Sequence, residues 1–431
     1  MESEKSKGAT SLSLKTILIY SVANIGCLAL DSTFDQFNIF YYVHHKLTTP
    51  LLIGIAVLFG RIVDALANPI VGYWSDRKYG VRGRRLPFVV SGVLPMTIFF
   101  ILFFRPIFKD AVSNFIFAAA TCGGMLFFYT YVVAPYLALL PDLARTTDDR
   151  VKMSSWVSIF GIVGIIVGFV VAGILVDTLH SFFLMAVIIG GISLATFMIT
   201  ALGIKERPVA REDRVQLSFW ESVLPALKSK MFLIYIFSIS SFWVGFKVLQ
   251  TSINFVFTTM FGKPEGYGGT FGMGGMILVW LLATPFIFLI VRKIGKKRTY
   301  YMALLAIAVI SSLQGLIPYI TFMNPLIYYH IVICFFGIPF AALLVIYNAI
   351  LGDIIDHDAK TTGYRREAMY YGMEGLFTKT ARGIGSVSVA FLFAVFGDPS
   401  VSHAGILAAG PFCGLFAFLG FLLFLRYPLN E

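Results

Sequence analysis

Charged side chains are scarce in this sequence of 431 residues. Asp, Glu, Lys and Arg together make up 13% of the chain, whereas an ordinary soluble domain carries about 25%. The 43 Phe residues alone outnumber the 34 Lys and Arg residues. This scarcity excludes a soluble enzyme with a hydrated surface and a disordered chain, because both need many solvated charges. So much apolar surface stays exposed only in a lipid bilayer, and the composition therefore predicts an all-α, polytopic membrane protein.

Cysteine and histidine are also few, and their spacing is typical of neither metal sites nor disulfides. The four cysteines lie far apart inside apolar segments, at Cys27, Cys122, Cys334 and Cys413. Cysteines in such surroundings are usually small packing residues. The six histidines form no plausible set of metal ligands. We therefore expect no metal, no cofactor and no enzymatic activity.

Apolar runs long enough to cross a membrane occur twelve times along the chain. A helix needs about 20 apolar residues to span the hydrocarbon core. This criterion predicts spans at residues 15–43, 51–75, 86–105, 112–140, 154–176, 182–203, 231–260, 268–291, 299–319, 325–351, 369–396 and 403–425. The longest polar interruption separates six spans from six. The predicted segments are an N-tail at 1–14, an N-terminal bundle at 15–204, a central loop at 205–230, a C-terminal bundle at 231–426 and a C-tail at 427–431.

The net charge of +11 could indicate nucleic-acid binding, so its distribution along the chain decides the interpretation. With the N-terminus in the cytoplasm, the cytoplasmic segments contain 26 Lys and Arg residues and the opposite loops contain 4. Basic residues accumulate on the cytoplasmic side of membrane proteins. The charge therefore predicts an integral protein of the cytoplasmic (inner) membrane with both termini, the central loop and both tails in the cytoplasm. This distribution excludes nucleic acid as a partner. The expected partners are the lipid bilayer and a small-molecule substrate.

Two short basic turns occupy equivalent places in the two halves of the chain. DRKYGVRGRR at 76–85 follows the second span, and RKIGKKR at 292–298 follows the eighth. Parallel six-helix repeats of this kind are the plan of the major facilitator fold. We therefore predict twelve transmembrane helices in two six-helix bundles with that fold.

Ionisable residues within the spans are the candidates for function, because each costs at least about 2.5–3.5 kcal/mol at bilayer depth. In the first span, spacings of three and four put five polar residues on one helix face, Asn24, Cys27, Asp31, Asp35 and Asn38. With no cation between them, one of Asp31 and Asp35 is expected to have a raised pKa and to be able to carry a proton. In the second span, Asp64 either pairs with Arg61 or ligates a cation together with Asn68 and a hydroxyl from the fourth span.

The second half of the chain supplies the opposite charges. Lys247 in the seventh span and Lys379 and Arg382 in the eleventh can pair with the acidic residues of the first half across a central cavity. Most aromatic residues in the spans are expected to pack between helices, but a few near the midplane can stack on a ligand. The predicted substrate site consists of Asp31, Asp35, Tyr131, Trp156, Trp243, Lys247, Gln250, Tyr371, Glu374 and Lys379.

Three stretches of the sequence carry a resemblance to a known family. They are RIVDALANPIVG at 61–72 with GRRLP at 83–87, TYVVAPYLALLPD at 130–142, and DIID at 353–356 with GYRREAMYYG at 363–372 and Lys379. The pattern resembles the glycoside–pentoside–hexuronide:cation symporters, the melibiose permease group of the major facilitator superfamily. The resemblance covers most of the chain. It implies a monomeric secondary transporter that moves a solute together with a cation by alternating access.

The resemblance also implies roles for individual residues. Asp64 and Thr130 match ligands of the coupling cation, and Lys379 matches a lysine near the cation and sugar sites. Asn68 stands where the melibiose permeases have a second aspartate, so a hard cation should bind more weakly here. The coupling ion is then either Na⁺ at Asp64 or H⁺ at Asp64 or Asp31. Positions of a cytoplasmic gate match Asp76, Arg77, Arg84, Asp142, Asp353, Asp356, Arg365, Arg366 and Glu367.

Two classes of solute stay open at this stage. The family resemblance implies a sugar or glycoside-like solute. The family also includes carriers of lysophospholipids, and a cavity rich in aromatic residues and poor in carboxylates keeps such an amphiphile as the alternative. The amphiphile predicts a lateral opening between helices. A receptor with this fold that transports nothing would need an additional segment for signalling. We do not expect this protein to be such a receptor.

Overall fold

The structure, a computed structural model, describes residues 12–77, 83, 85–144, 146–206, 227–362 and 366–428, without the side chains of Tyr73, Asp76, Arg77 and Ala368. Within these ranges, twelve helices are long and apolar enough to cross a membrane. They are α1 (Leu14–His44), α2 (Pro50–Arg77), α3 (Leu86–Phe103), α4 (Ala111–Leu143), α5 (Thr147–Leu179), α6 (Phe182–Gly203), α7 (Lys230–Met260), α8 (Gly268–Ile294), α9 (Lys296–Tyr319), α10 (Pro325–Thr362), α11 (Glu367–Phe396) and α12 (Ala404–Leu425). The predicted all-α class and the number of spans are confirmed.

Several helices are longer than the predicted spans. α10 continues to Thr362, although the predicted span ends at residue 351, and α5 begins at Thr147 rather than at 154. The reason is that hydropathy detects only the part of a helix inside the bilayer, whereas polar residues continue the helix beyond it. The start of α5 is fixed by Thr146, whose side chain accepts a hydrogen bond from the N–H of Asp149.

Successive spans alternate in direction, so the bundle has two faces. We call the face where α1 begins and α12 ends the terminal face, and the face where α7 connects to α8 the loop face. We also call α1–α6 the N half and α7–α12 the C half. The halves meet where α2 packs against α11, α1 against α7, and α5 against α8. The predicted tails and central loop fall largely outside the described residues, and those boundaries stay predictions.

Among the described residues, three helices contain π-helical turns near the contact between the halves. These turns lie at Val167–Val171 in α5, Val256–Met260 in α7 and Gly268–Met273 in α8. Such turns often occur at functional sites. α5 and α8 also approach each other closely, since a Cβ atom on Gly173 would lie 2.5 Å from the carbonyl oxygen of Gly266. A larger residue at either position would push the two helices apart at the loop-face side of the contact.

Candidate functional site

Seven charged side chains meet between the N half and the C half, near the middle of the bundle. Three are carboxylates and four are cations. The N half contributes Asp31 and Asp35 on α1 and Arg61 and Asp64 on α2; the C half contributes Lys247 on α7 and Lys379 and Arg382 on α11. Contacts within 4 Å connect all seven into one network. Acidic residues of the first half thus face basic residues of the second, as the sequence predicts.

Asp35 has the shortest ion pair of this network. Arg61 Nη2 lies 2.5 Å from Asp35 Oδ1 and 3.4 Å from Asp31 Oδ1. Lys247 Nζ donates to the carbonyl oxygen of Asp35 at 2.6 Å and lies 3.4 Å from both Asp35 Oδ1 and Asn38 Oδ1. Arg61 therefore lies between the two like charges. The expectation that Asp31 or Asp35 is able to carry a proton was made for the case of no cation between them, and this condition is not met.

Asp64 is fully buried, and its partners differ from those of Asp35. Lys379 Nζ lies 2.8 Å from Asp64 Oδ1, and the Thr130 hydroxyl donates to the same oxygen. Lys379 also donates to Thr130 Oγ1 at 3.1 Å. The second oxygen, Asp64 Oδ2, lies 3.6 Å from Arg61 Nη1 and makes no hydrogen bond with a described residue. Asp64 and Thr130 thus offer oxygens to one cation, and the Lys379 ammonium lies in that position.

Arg382 lies farther from its carboxylate partners than the other cations do. Its Nη1 is 3.6 Å from Asp31 Oδ2 and 3.7 Å from Asp35 Oδ2, and its Nε has no hydrogen-bond partner within the described ranges. The guanidinium stacks on Trp243, with 4.3 Å from its carbon to the ring centroid. Because 26% of the side chain is exposed and Arg382 lines a cavity beside this network, its guanidinium is accessible to a bound molecule.

A cavity of about 240 Å³ adjoins the network. One end is polar, with Asp31, Asp35, Lys247, Gln250 and Arg382. The rest of the wall is mainly aromatic and aliphatic, and includes Trp243, Phe246, Met276, Trp280, Phe340 and Tyr347. Apolar walls with a few placed polar groups are typical of small-molecule sites, and drug-sized ligands occupy about 300–1,000 Å³. This cavity therefore suits a solute smaller than a typical drug.

Three aromatic residues predicted to bind substrate do not line the cavity. Tyr131 packs on Phe88 of α3, with ring centroids 5.0 Å apart, because successive helical residues point about 100° apart and its neighbour Thr130 faces Asp64. Trp156 packs against its own helix, α5. Tyr371 is 40% exposed near the start of α11. For these three residues, the predicted place in the substrate site is wrong in this conformation.

Three polar residues that were predicted to bind the substrate or a cation do not line the cavity either. Lys379 contacts Asp64 rather than the cavity, and Glu374 is half-buried about two turns along α11 from Arg382. Asn68, a predicted cation ligand, is half-buried and lies outside the ion-pair network. Conversely, the predicted site omitted Arg382, although its charge within a span was a signal. It also omitted Trp280, for which the uniformly apolar sequence of α8 gives no signal.

The predicted gate residues lie at the terminal face where the structure describes them. Asp142 pairs with Arg85 at 2.9 Å, and Asp353 pairs with Lys296 at 2.7 Å. Each of these two pairs joins segments of the same half. Asp356, Arg366 and Glu367 lie at the same face. Arg84, Arg365 and the side chains of Asp76 and Arg77 lie outside the described residues, so a gate across the halves there stays a prediction.

The halves are joined at the loop face by polar contacts that the sequence did not predict. Gln36 on α1 donates to Asn254 Oδ1 on α7 at 2.6 Å, and Asn254 donates to the Gln36 carbonyl oxygen at 2.8 Å. Asp177 on α5 accepts a hydrogen bond from the N–H of Gly266, which precedes α8, at 2.6 Å. These contacts link α1 to α7 and α5 to α8, and they close the loop face.

Glu265, between α7 and α8, adds contacts with two histidines at the end of α1. Its Oε1 lies 3.1 Å from His44 Nε2, and its Oε2 lies 3.5 Å from His45 Nε2. Partial burial raises the pKa of Glu265, but hydrogen bonds and positive charge from the two histidines outweigh burial and lower the pKa to about 2. Ion pairing at this position therefore depends on the charge of the histidines.

Comparison with known proteins places the chain in a family. A model of the MFS/sugar transport proteins, which are part of the major facilitator superfamily, matches residues 19–431. The chain belongs to that family. An isoprimeverose transporter of Lactiplantibacillus pentosus is 24% identical over 388 residues, which cover 88% of this chain and 79% of the relative. The sodium-dependent lysophosphatidylcholine symporter 1 of Xenopus tropicalis is 22% identical over 440 residues, which cover 89% and 81%.

A solved structure agrees with the fold predicted for this family. The crystal structure of the nucleoside transporter NupG superimposes with a TM-score of 0.70 at 14% identity, over 96% of this chain and 99% of NupG. At this identity the likeness concerns the fold alone. The predicted major facilitator fold and the resemblance to glycoside:cation symporters are both confirmed.

Proposed function

We propose that this sugar-transport family member is a secondary active transporter of the cytoplasmic membrane. It moves a sugar or glycoside-like solute together with a cation, H⁺ or Na⁺, by alternating access. The terminal face is cytoplasmic in this proposal, which the distribution of basic residues supports, and the loop face is external. In this proposal the transporter is a monomer that has no cofactor and no enzymatic activity.

The observation that carries this proposal is the ion-pair network between the halves. In alternating access the two halves rock about a site near the midplane, so contacts between them must break and form again. Lys379 of the C half contacts Asp64 and Thr130 of the N half. A cation that replaces the Lys379 ammonium would release a contact between α2 and α11. Cation binding and the conformational change would then depend on the same two oxygens.

The contacts at the loop face support a conformation that is closed toward the outside. There, Gln36 with Asn254 and Asp177 with Gly266 join the two halves. A solute would therefore not leave the cavity through the loop face from this conformation.

The cavity supports a small polyol as the solute. Asp31, Gln250 and Arg382 offer acceptors and donors for hydroxyl groups, and Trp243 and Trp280 offer apolar surface for a sugar ring. A lysophospholipid is the second candidate, because the aromatic and aliphatic wall suits an acyl chain and a relative carries that name. At about 240 Å³ the cavity would have to open toward the lipid to accept such a chain.

Uptake into proteoliposomes tests the proposal, with labelled isoprimeverose and lysophosphatidylcholine as probes under a Na⁺ or a pH gradient. Asp64→Asn should abolish accumulation of the solute against its gradient and leave solute exchange measurable, since the amide no longer binds a coupling cation. Asp148→Asn is the matched control, because Asp148 forms an exposed pair with Lys152. Full accumulation in Asp64→Asn would contradict the coupling role. Transport of neither probe, in any gradient, would contradict both candidate solutes.

A further inference from the structure

A second and larger concavity lies on the outer surface of the bundle. It has a volume of about 850 Å³ and lies between α7, α11 and α12. Its wall is mainly aliphatic and aromatic, and residues such as Phe237 and Ile384 are 50% and 46% exposed. We call this concavity the lipid-side groove, because in a membrane these side chains face acyl chains.

The lipid-side groove is about one leaflet deep. It follows α7 from Leu233 to Val244, about 16 Å at 1.5 Å per residue. This length is about half of a 30 Å hydrocarbon core. The groove starts near the terminal face, where α7 begins at Lys230 and α12 ends at Leu425. One acyl chain of the leaflet at the terminal face therefore matches its length.

One cation lines the end of the groove, and helical spacing places a second beside it. Arg426 is part of its wall, one turn after Leu422. Lys230 precedes Leu233 and Ile234 by three and four residues, which puts it on the groove side of α7. Both cations are exposed, and within the described ranges neither has a carboxylate within 4 Å. Their position at the end of the apolar wall is the level of the lipid headgroups.

We propose that the lipid-side groove binds one anionic phospholipid, with an acyl chain along its wall and the phosphate between Lys230 and Arg426. Basic pockets between transmembrane helices on the cytoplasmic side bind anionic headgroups in this way. The cations supply the preference, because an acyl chain gains little when it exchanges one apolar neighbour for another. α7 and α11 also carry Lys247 and Arg382, so the bound lipid contacts the two C-half helices that form the central network.

Native mass spectrometry of the purified full chain tests this proposal. The probes are phosphatidylglycerol and phosphatidylcholine with identical acyl chains. The unaltered protein should bind phosphatidylglycerol more tightly. Lys230→Gln and Arg426→Gln should each weaken its binding about fivefold and leave phosphatidylcholine unchanged, since each cation near a lipid surface contributes about that factor. The matched control is Arg292→Gln with Lys293→Gln, two exposed cations at the end of α8, which should change binding less than twofold.

A further variant tests the acyl-chain part of the groove. Ile384→Trp alters a half-exposed position, so it narrows the groove without disturbing the core, and it should weaken the binding of both lipids. Equal binding of the two lipids by the unaltered protein would overturn the proposal. It would also be overturned if the Arg292 and Lys293 control lowered phosphatidylglycerol binding as much as the groove variants, because the effect would then come from overall charge.

Discussion

Asp35 and Asp64 are both buried between the halves and both lie near Arg61, yet their surroundings differ. Asp35 has the Arg61 guanidinium at 2.5 Å, the Lys247 ammonium on its own carbonyl oxygen at 2.6 Å, and a second guanidinium at 3.7 Å. Asp64 has one ammonium at 2.8 Å, one hydroxyl, and an oxygen without a hydrogen bond to a described residue. The comparison indicates that the surroundings of Asp35 fix the helices, whereas those of Asp64 suit the exchange of a cation.

The exposure of the partner cations supports this distinction. The side chains of Arg61 and Lys247 are each 2% exposed, whereas that of Lys379 is 23% exposed. Removing a partner from a buried charge leaves that charge uncompensated and costs about 3–5 kcal/mol. Water can hydrate the Lys379 ammonium when it leaves Asp64, and its flexible stem allows it to move. When another cation takes its place beside Asp64, the departure of Lys379 therefore costs less than the departure of Arg61 or Lys247 from Asp35.

The largest expected effect comes from Arg61→Gln. This change leaves Asp31 and Asp35 without their closest guanidinium, so we expect it to destabilise the protein by about 3–5 kcal/mol. The melting temperature of the purified protein and its yield in the folded form measure the loss. Arg61→Gln combined with Asp35→Asn should recover part of the stability, because the uncompensated charge is gone.

Lys152→Gln provides the control for that experiment. It breaks the exposed pair with Asp148, in which the side chains are 56% and 72% exposed, and should cost less than about 1 kcal/mol. If Arg61→Gln melted at the same temperature as this control, Asp35 would need no fixed cation. The contrast between the two carboxylates would then fail.

A smaller effect should distinguish the two lysines. In the proposed function, the coupling cation displaces the Lys379 ammonium from Asp64. We therefore expect that cation to bind at least about tenfold more tightly to Lys379→Met. A charge-assisted hydrogen bond contributes about 1.5–3 kcal/mol, which is tenfold or more in affinity. Lys247→Met should lower the melting temperature without tightening cation binding. Thermal stability titrated with Na⁺ and with pH measures both changes, and an equal response of the two variants would contradict distinct roles for Asp35 and Asp64.

The membrane spans and the charged stripes were predictable because each follows from a local pattern. A bilayer requires about 20 apolar residues for each helix, and helical spacing puts Asp31 and Asp35 on one face. The partner of Arg61 was not predictable in the same way. Asp64 is three residues away on the same helix, but it lies 3.6 Å from Arg61 while Asp35 on α1 lies 2.5 Å away. Spacing gives the direction of a side chain and does not give the distance to a neighbouring helix.

The aromatic wall of the cavity and the contacts at the loop face could not be predicted from local sequence patterns. Trp280 lies in a helix that is apolar on all sides, where no polar stripe separates a cavity-facing side from a lipid-facing side. Tyr131 is adjacent to Thr130 in the sequence but points toward α3. The pairs of Glu265 with His44 and His45 form only when the two halves dock. Such contacts depend on the packing of whole helices rather than on residue spacing.

The smallest expected effect concerns Glu265. This carboxylate is 31% exposed and provides a third case to compare with the buried Asp35 and Asp64. With a pKa of about 2, Glu265 stays ionised between pH 5 and 8, and the stability from its lowered pKa is lost only as the pH falls toward about 2. Glu265→Gln removes the carboxylate from the contacts with His44 and His45, so both contacts should weaken. Asp177 on α5 and His180, which follows α5, also lie near Glu265.

We therefore expect the loop face to open more readily in Glu265→Gln than in the unaltered protein. Labelling of Thr270→Cys by a maleimide reports this opening, in a Cys334→Ser background because the other three cysteines are buried. Its rate is divided by that of Val401→Cys, a position 85% exposed, which removes differences in the thiol chemistry. The ratio should rise about two- to fivefold in Glu265→Gln, since exposed ion pairs contribute about 0.2–1 kcal/mol each. Glutamine keeps the size of the side chain but has no carboxylate for the histidines. An unchanged ratio in Glu265→Gln would mean that other groups set the opening, and that exposed pairs contribute too little here to be compared with those of Asp35 and Asp64.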